Sequence, residues 1–328
     1  MAKQTQYGKA FEYACVEAIK EFYSGTISVE VVESEPMETA RSCFNARLEE
    51  QDEMLTAARA AIKVIDKYEP RLAHPQAEEP LYIELQPDSA GRAGDVRDVL
   101  CSRPSEHWSI GISCKHNHDA VKHSRLSATV DFGDIWLGHP CSSTYFSHVV
   151  PLFNSLSLLK EQGDETGAIA MWSDLNNKED DYYVPVLESF MGELNRLYKT
   201  YPDVPENLIR YLLGRHDFYK VISDGSDCCT RVIAVNVNGT LGCPVGDFKP
   251  ASRIRSLPMP KKFFHIGFKE VQPGVESKTT VQVVCDEGWD VAMRLHNASS
   301  RIEPSLKFDV RLVSRPAATM AETEPWKS

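Results

Sequence analysis

The sequence predicts an α/β protein in which a helix and a mixed sheet meander are followed by an additional helical layer and a C-terminal β-rich segment. Three observations support this fold class: apolar residues at helical spacing over 11–22, three short strand-like runs separated by turns over 81–114, and alternation of apolar and polar residues within 289–312. The same pattern predicts a core over residues 1–135 and a region over 136–328 that completes the fold.

The first predicted helix has apolar residues three and four positions apart, at Phe11, Ala14, Cys15, Ala18, Ile19 and Phe22. Glu12 lies at the edge of this stripe. A second helix is predicted over 46–68, because the acidic "EEQDE" near its start suits the positive end of a helix dipole. The stretch "PRLAHPQAEEP" that follows is typical of a linker.

The meander consists of the predicted strands "LYIEL", "DVRDVLCSR" and "WSIGISC", the last two joined by the turn "PSEH". Folding this hairpin about Ser105 and Glu106 places Asp98 opposite Ser113. Lys115 then lies two positions further along, on the face of Ser113. We therefore expect an aspartate and a lysine to converge on one edge of the sheet.

The later part of the chain contains two long segments with helical spacing, "TYFSHVVPLFNSLSLLKEQ" and "YYVPVLESFMGELNRLYKTY", which predict the helical layer. Two alternating runs, "WDVAMRLHN" and "LKFDVRL", predict strands, and the first puts Arg294 and His296 on one face. The final "PAATMAETEPWKS" is predicted to be a frayed tail.

Composition is that of a folded globular protein, with 42% hydrophobic and 25% charged residues among 328. The formal net charge of −11 repels a polyanion at long range, so nucleic-acid binding would need a local positive field. Such a field is predicted over 248–269, where no acid occurs and six basic residues stand: Lys249, Arg253, Arg255, Lys261, Lys262 and Lys269.

Several classes of protein are disfavoured. The N-terminus lacks the apolar run of a signal peptide, and no stretch approaches the ~18 consecutive apolar residues of a membrane span, which predicts a cytoplasmic protein. The nine cysteines show no CxxC pair or cysteine-histidine knuckle spacing, which argues against structural zinc and a disulfide framework. No P-loop, GxGxxG, GxSxG or HExxH motif occurs.

The predicted pairing of Asp98 with Lys115 suits phosphodiester hydrolysis. That reaction uses a divalent ion, held by one or two carboxylates that leave positions open for water, to polarise the phosphoryl group. A neighbouring lysine can orient or deprotonate the attacking water and offset phosphate charge. The residues alone thus indicate a candidate metal-nuclease site.

This arrangement resembles the PD-(D/E)xK nuclease superfamily, whose core joins a helix bearing a glutamate to a meander carrying the aspartate and the (D/E)xK element. The resemblance implies that Asp98, or in reserve Asp95, binds the metal, that Lys115 is the catalytic lysine and that Glu12 is the helix acid. The chain departs from the pattern because Ser113 stands two before the lysine. Glu84 and Glu12 are the candidates for the missing carboxylate.

Three longer strings, "GDVRDVL", "IGISCKHNHDAVKHSRLS" and "GWDVAMRLHNASSRIEPSLKFDVRL", extend the resemblance over most of the chain. They are similar to the HaeIII-type family of type II restriction endonucleases. That family implies an Mg²⁺-dependent site-specific deoxyribonuclease that cuts double-stranded DNA at GGCC and leaves blunt ends. A palindromic target implies a homodimer, and restriction implies a cognate DNA methyltransferase as functional partner.

A basic and histidine-rich stretch after the meander is predicted to contact phosphates or a groove near the cut, through His116, Asn117, His118, Lys122, His123 and Arg125. The letters "HNH" suggest the unrelated nuclease family of that name, but there the three residues are dispersed over a hairpin and a helix. A zinc site is also disfavoured, because no cysteine or acid stands at ligand spacing.

Arg294, His296 and Asn297 suit base readout, since arginine pairs with guanine in the major groove, although a solvated strand face explains them equally well. Arg253, Arg255, Lys261 and Lys262 are predicted to contact the DNA backbone.

The main functional alternative is a sequence-specific DNA-binding protein of the same fold with weak or lost cleavage, because Ser113 replaces the expected acid. An enzyme unrelated to nucleic acid is a third possibility that no motif supports.

Overall fold

The structure is a computed structural model that describes residues 3–87, 89–90, 94–116 and 124–326. The helices found there are α1 Lys3–Tyr23, α2 Glu35–Asn45, α3 Gln51–Tyr68, α4 Pro70–Ala73, α5 Ser143–Thr166, α6 Val184–Thr200 and α7 Val204–Leu213. The strands are β1 Val29–Val31, β2 Leu81–Leu85, β3 Val99–Arg103, β4 Trp108–His116, β5 Arg125–Ser127, β6 Phe218–Asp224, β7 Cys229–Val235, β8 Phe263–Gln272, β9 Val275–Cys285, β10 Asp290–Asn297, β11 Ser305–Ser314 and β12 Ala321–Pro325. The predicted α/β class is confirmed.

Contacts divide the chain into two compact units. The first consists of Met1–Asp119, Gly214–Leu257 and Ala318–Ser328, and the second of Ala120–Leu213 and Pro258–Ala317. Both units are discontinuous in sequence, so neither coincides with the ranges on either side of residue 135. That residues 1–135 form the nuclease core with the catalytic hairpin, and that residues 136–328 carry DNA recognition, stays a prediction.

The first unit contains a seven-stranded mixed sheet of order β1-β2-β3-β4-β6-β7-β12. The antiparallel pairs β2–β3 and β3–β4 confirm the predicted meander, and β6 pairs parallel to β4. Alternation buries Ile83, Cys101 and Ile112 on the face that shares a core with α1, α2 and α3. The predicted site residues Ser113 and Lys115 lie near the C-terminal end of β4.

Helix α1 forms because its apolar residues lie on one stripe, as predicted. Phe11, Ala14, Cys15, Ala18 and Ile19 are each at most 1% exposed, which confirms the stripe through Ile19. The last predicted member, Phe22, is 43% exposed in the final turn.

The predicted helix over 46–68 is wrong at its start. Helix α2 ends at Asn45, a turn follows, and α3 begins at Gln51, whose side-chain Nε2 donates to the Phe44 carbonyl. Helix α2 itself was not predicted, although Ser34 caps it by accepting from the Met37 amide. The predicted linker begins with the single turn α4.

The second unit packs helices against one face of a five-stranded sheet of order β5-β11-β10-β9-β8. Its core joins aromatic rings of helix and strand, with Phe190 centred 4.8 Å from Phe132 and 5.2 Å from Phe308. Helices α5 and α6 confirm the predicted helical layer, and β10 and β11 confirm the two alternating strands. No helix in the described ranges combines the length and apolar character needed to cross a membrane.

The predicted frayed tail is wrong, because β12 pairs with β7 at the edge of the first sheet. Polar side chains hold it there: the Tyr68 hydroxyl donates to Glu322 Oε2 at 2.9 Å, and the Trp326 indole N–H donates to Thr230 Oγ1 at 2.7 Å. Backbone pairing with β7, side-chain bonds to α3 and β7, and packing of Met320 and Trp326 against the core therefore order this end of the chain.

Glu69 provides a pH test of this packing. Its carboxyl is 1% exposed, and Oε1 accepts from the Tyr219 hydroxyl and the Gly242 amide, both at 2.7 Å. Burial raises the pKa of Glu69 to about 7, against the lowering by these two hydrogen bonds. A raised pKa means that the neutral acid stabilises the fold fully at low pH and that this contribution is lost as pH rises through about 7.

We predict that Glu69→Gln, which mimics the neutral acid, gains stability relative to the unsubstituted protein by roughly 2 kcal/mol between pH 5 and pH 8. Unfolding by urea or heat across this range measures the difference. If the unfolding free energies of the two proteins changed in parallel with pH, Glu69 would not be a buried group that binds a proton.

Candidate active site

The hairpin of β3 and β4 has the register that the sequence predicts. Val99 pairs with Ile112, and the Asp98 amide donates to the Ile112 carbonyl at 2.8 Å, so the next position along brings Asp98 to Ser113. The tight turn between the strands sets this pairing, because His107 adopts a left-handed conformation with φ 49°. The predicted approach of Asp98 to Ser113 is confirmed.

The Asp98 carboxylate is anchored by three groups of β4. Its Oδ2 accepts from the Cys114 amide at 2.7 Å and from Ser113 Oγ at 3.2 Å, and Lys115 Nζ lies 3.5 Å away. Among the described residues these bonds all end on Oδ2. The carboxylate therefore presents Oδ1 as the oxygen available to a further ligand.

Glu12 belongs to the same cluster. It is 7% exposed on α1, and Lys9 Nζ donates to its Oε2 at 3.1 Å. Burial raises the pKa of Glu12 to about 7, and the negative charge of Asp98 adds to the rise, while Lys9 and Lys115 oppose it. Helix α1 and β4 are joined by the Cys15 and Cys114 sulfurs, 3.6 Å apart. The charges of the Glu12 and Asp98 carboxylates therefore interact.

Lys115 is held as a cation. Burial lowers its pKa, but the charges of Asp98 and Glu12 outweigh burial, and the net shift is upward. A lysine raised above its ordinary value is protonated at neutral pH. In the protein alone, Lys115 is suited to neutralise phosphate charge or to orient water.

Asp95 has a different environment. Arg97 donates to both of its oxygens, from Nε at 2.8 Å and from Nη2 at 2.7 Å. Burial raises the pKa of Asp95, but the hydrogen bonds and charge of Arg97 outweigh it, so the net shift is downward. The Arg97 side chain also packs directly over Gly111 of β4. A Cβ atom at position 111 would lie only 2.0 Å from Arg97 Cδ. These contacts favour Asp98 over Asp95 as the open carboxylate.

Glu84 lies on β2 opposite Leu100. That register puts it one diagonal step from Asp98, and no hydrogen bond or ion pair joins it to Asp98 or Lys115. The charge of Asp98 raises the pKa of Glu12, which places Glu12 in the electrostatic environment of the cluster.

The predicted DNA-contact residues are spread over both units. His116 follows Lys115, with Nδ1 3.0 Å from Ser223 Oγ and its ring 3.9 Å from that of Tyr7. Burial lowers the pKa of His116. Four further candidates, Asn117, His118, Lys122 and His123, lie outside the described residues.

In the second unit, Arg125 and Arg294 are exposed, and Arg125 donates to Ser305 Oγ at 3.1 Å. His296 and Asn297 have internal partners instead: His296 Nε2 lies 3.0 Å from Asp309 Oδ2, and the Asn297 side chain accepts from the Tyr183 hydroxyl at 2.9 Å. Because His296 and Asn297 are engaged in bonds within the protein, Arg294 is the residue of the three that is best placed to contact a DNA base.

The basic segment is exposed between buried anchors. Ile254 and Leu257 are buried, whereas the four predicted contact residues are exposed: Arg253, Arg255, Lys261 and Lys262. The amides of Lys261 and Lys262 both donate to Asp286 Oδ1, which fixes the backbone while the side chains extend into solvent.

The donor set of the cluster suits a hard divalent ion. In the described part of the chain, no group of three or more histidine, cysteine or acidic side chains could enclose a metal. Mg²⁺ does not require such a cage, because it commonly binds one or two carboxylates and keeps water and substrate phosphate as its other ligands. Asp98 with Glu12 therefore fits Mg²⁺ better than zinc.

Lys220 was missed by sequence reasoning because β6 was not predicted. It is 4% exposed and stands beside Ser113 in the parallel register of β4 and β6. The signal was present in "FYKVI", where one lysine interrupts an apolar run.

Comparison with known proteins decides the family. A family model described as HaeIII restriction endonuclease matches residues 8–316. The chain belongs to the HaeIII restriction endonuclease family. The type II restriction enzyme HaeIII of Haemophilus aegyptius is 34% identical to this HaeIII-family chain over 327 residues, which is 99% of each protein. No solved structure matches the chain.

This membership confirms the predicted class of enzyme, a type II restriction endonuclease. The HaeIII-family match includes every element of the Asp98 cluster, because it begins at residue 8 on α1 and continues through β4.

Proposed function

We propose that this protein hydrolyses phosphodiester bonds of double-stranded DNA at the palindrome GGCC, leaving blunt ends, with Mg²⁺ bound at Asp98. The observation that carries the proposal is the cluster in which Asp98, Glu12 and Lys115 meet at one end of the β3–β4 hairpin. Membership of the HaeIII family supports the substrate and the target. The first unit would then be a PD-(D/E)xK core.

Each group has a distinct task in this proposal. Asp98 Oδ1 and Glu12 would hold Mg²⁺, while Ser113 Oγ and the Cys114 amide keep the Asp98 carboxylate in position through Oδ2. The chemistry that Mg²⁺ supplies is polarisation of the scissile phosphoryl group and activation of water as the nucleophile. The Lys115 ammonium orients that water and offsets the charge that develops on the phosphate.

Ser113 changes which residue completes the site. A serine hydroxyl donates to Asp98 instead of adding a second negative charge on β4, so another element has to supply the acid. Glu12 is favoured because it is buried against the cluster and its pKa is raised to about 7 in part by Asp98. A nearby divalent cation stabilises the ionised form of such an acid.

The DNA would be bound through exposed cations. Arg253, Arg255, Lys261 and Lys262 are proposed to contact phosphates, and Arg294 to read a guanine. Because the target is a palindrome, we expect a homodimer in which each subunit cuts one strand. We also expect a cytoplasmic enzyme, paired with a DNA methyltransferase that protects the same sequence.

Binding without cleavage is the second candidate function, and Ser113 in the place of the expected acid is the observation that favours it. Tight binding of a GGCC duplex that stays uncut in Mg²⁺ would support this alternative.

We predict that Asp98→Asn and Lys115→Met, which keep side-chain size, each slow cleavage of a GGCC duplex by about 100- to 10,000-fold. The first removes the charge that holds the cation, and the second removes the ammonium group. Rates in Mg²⁺, after chelation and after Mg²⁺ is restored, measure the effect. Arg210→Ala, which breaks only the exposed pair with Glu206, is the control and should cleave normally. Normal cleavage by both site variants would overturn the assignment.

A second pair of variants separates the two candidate acids. We predict that Glu12→Gln abolishes cleavage and weakens Mg²⁺ binding, whereas Glu84→Gln leaves both within about threefold. Calorimetry of Mg²⁺ binding alongside the cleavage rate measures this. The opposite result, loss in Glu84→Gln alone, would assign the missing carboxylate to β2.

A further inference from the structure

The geometry points to a phosphate-binding surface on the polar face of the five-stranded sheet, where Arg125, Lys307 and Arg311 would contact the backbone of duplex DNA beside Arg294, the proposed guanine reader. This inference rests on the proposed function, because it presumes a DNA substrate. Lys307 and Arg311 were not among the DNA-contact residues predicted from the sequence. We call these four residues the sheet cations.

The face is defined by strand alternation. On β11, Leu306, Phe308 and Val310 are buried, so Lys307 and Arg311 lie on the opposite face. Pairing carries this face across the sheet, because Lys307 stands opposite Arg125, Asp309 opposite Arg294, and Arg311 opposite Ala292. The sheet cations therefore occupy three adjacent strands.

One pair on this face is unfavourable by itself. Lys307 and Arg125 stand directly opposite each other on antiparallel strands, an arrangement in which like charges destabilise the sheet. Burial lowers the pKa of Lys307 and the charge of Arg125 adds to the lowering, while Asp309 opposes both. A bound anion would relieve this repulsion, and a phosphate oxygen is an anion that lysine and arginine both bind well.

The acids nearby offset the positive charge of the cluster only in part. Asp309 lies 3.0 Å from His296 Nε2, and Asp290 accepts two hydrogen bonds from the Gln282 amide. No sheet cation forms an ion pair with an acid in the described part of the chain. On a protein of net charge −11, this face is therefore a local concentration of positive charge.

The face favours a duplex over a single strand. Proteins that bind single strands stack bases on aromatic side chains. On the three strands that carry the sheet cations, the paired positions of this face outside the bulge at Asp290 instead carry small or polar residues: Arg125, Ser127, Ala292, Arg294, His296, Ser305, Lys307, Asp309 and Arg311. Phosphate contact without base stacking is what this composition supports, so Arg125, Lys307 and Arg311 should position the DNA and leave base reading to Arg294.

The test uses the full chain with Lys307→Ala/Arg311→Ala and a 24-base-pair duplex in chelator, so that binding is measured without cleavage. We expect the dissociation constant to rise at least tenfold, equally for duplexes with and without GGCC. The slope of log affinity against log salt should fall in magnitude by roughly 2, because two phosphate contacts are lost. The matched control, Lys160→Ala/Arg210→Ala, removes two ion-paired cations of the same unit and should change neither quantity.

Folding is checked with Lys307→Gln alone, which should unfold at a temperature no lower than the unsubstituted protein because it removes the repulsion with Arg125. Unchanged affinity and salt slope in the double variant, while the unsubstituted protein still cuts DNA, would overturn this surface and leave the proposed function standing. A larger loss for single-stranded than for duplex DNA would also overturn it. Failure of the unsubstituted protein to bind or cut any DNA would instead refute the proposed function.

Discussion

The hydrogen bond from the Cys114 amide to Asp98 Oδ2, 2.7 Å long, is the contact on which the candidate site depends. It can form only when β3 and β4 pair in one register, because a shift by one residue would turn every side chain of the hairpin to the other face. The buried residues Cys101, Ile110 and Ile112 enforce that register from the opposite side of the sheet. The same register of β3 and β4 is therefore required both by core packing and by the geometry of the site.

This constraint makes the environment of the site unusual. Two carboxylates and a lysine meet at the edge of an apolar core, where burial and mutual repulsion raise the pKa of Glu12 to about 7 and the nearby acids keep Lys115 charged. Burying these charges costs desolvation free energy unless a ligand of opposite charge compensates them. A divalent cation and the phosphates of DNA are compensating ligands of opposite sign, and the proposed reaction brings both to this place.

The parts of the fold that local pattern determines could be predicted. The α1 stripe, the meander and the Asp98 to Ser113 register followed from residue spacing and one turn. The rest depends on tertiary contacts that spacing does not encode. Strands β6 and β7 join the sheet from a distant part of the chain, and β12 is ordered by bonds such as that from Tyr68 to Glu322. Residue spacing could not separate Glu12 from Glu84 as candidate acids, because the position of Glu12 relative to the hairpin depends on how α1 packs.

Anomalous diffraction from crystals grown with Mn²⁺ and a GGCC duplex would test the central claim most directly. The account predicts a manganese peak within about 2.3 Å of Asp98 Oδ1, with a Glu12 oxygen and a DNA phosphate among the other ligands. A peak at Asp95, or no peak at Asp98 while the duplex is bound, would contradict it.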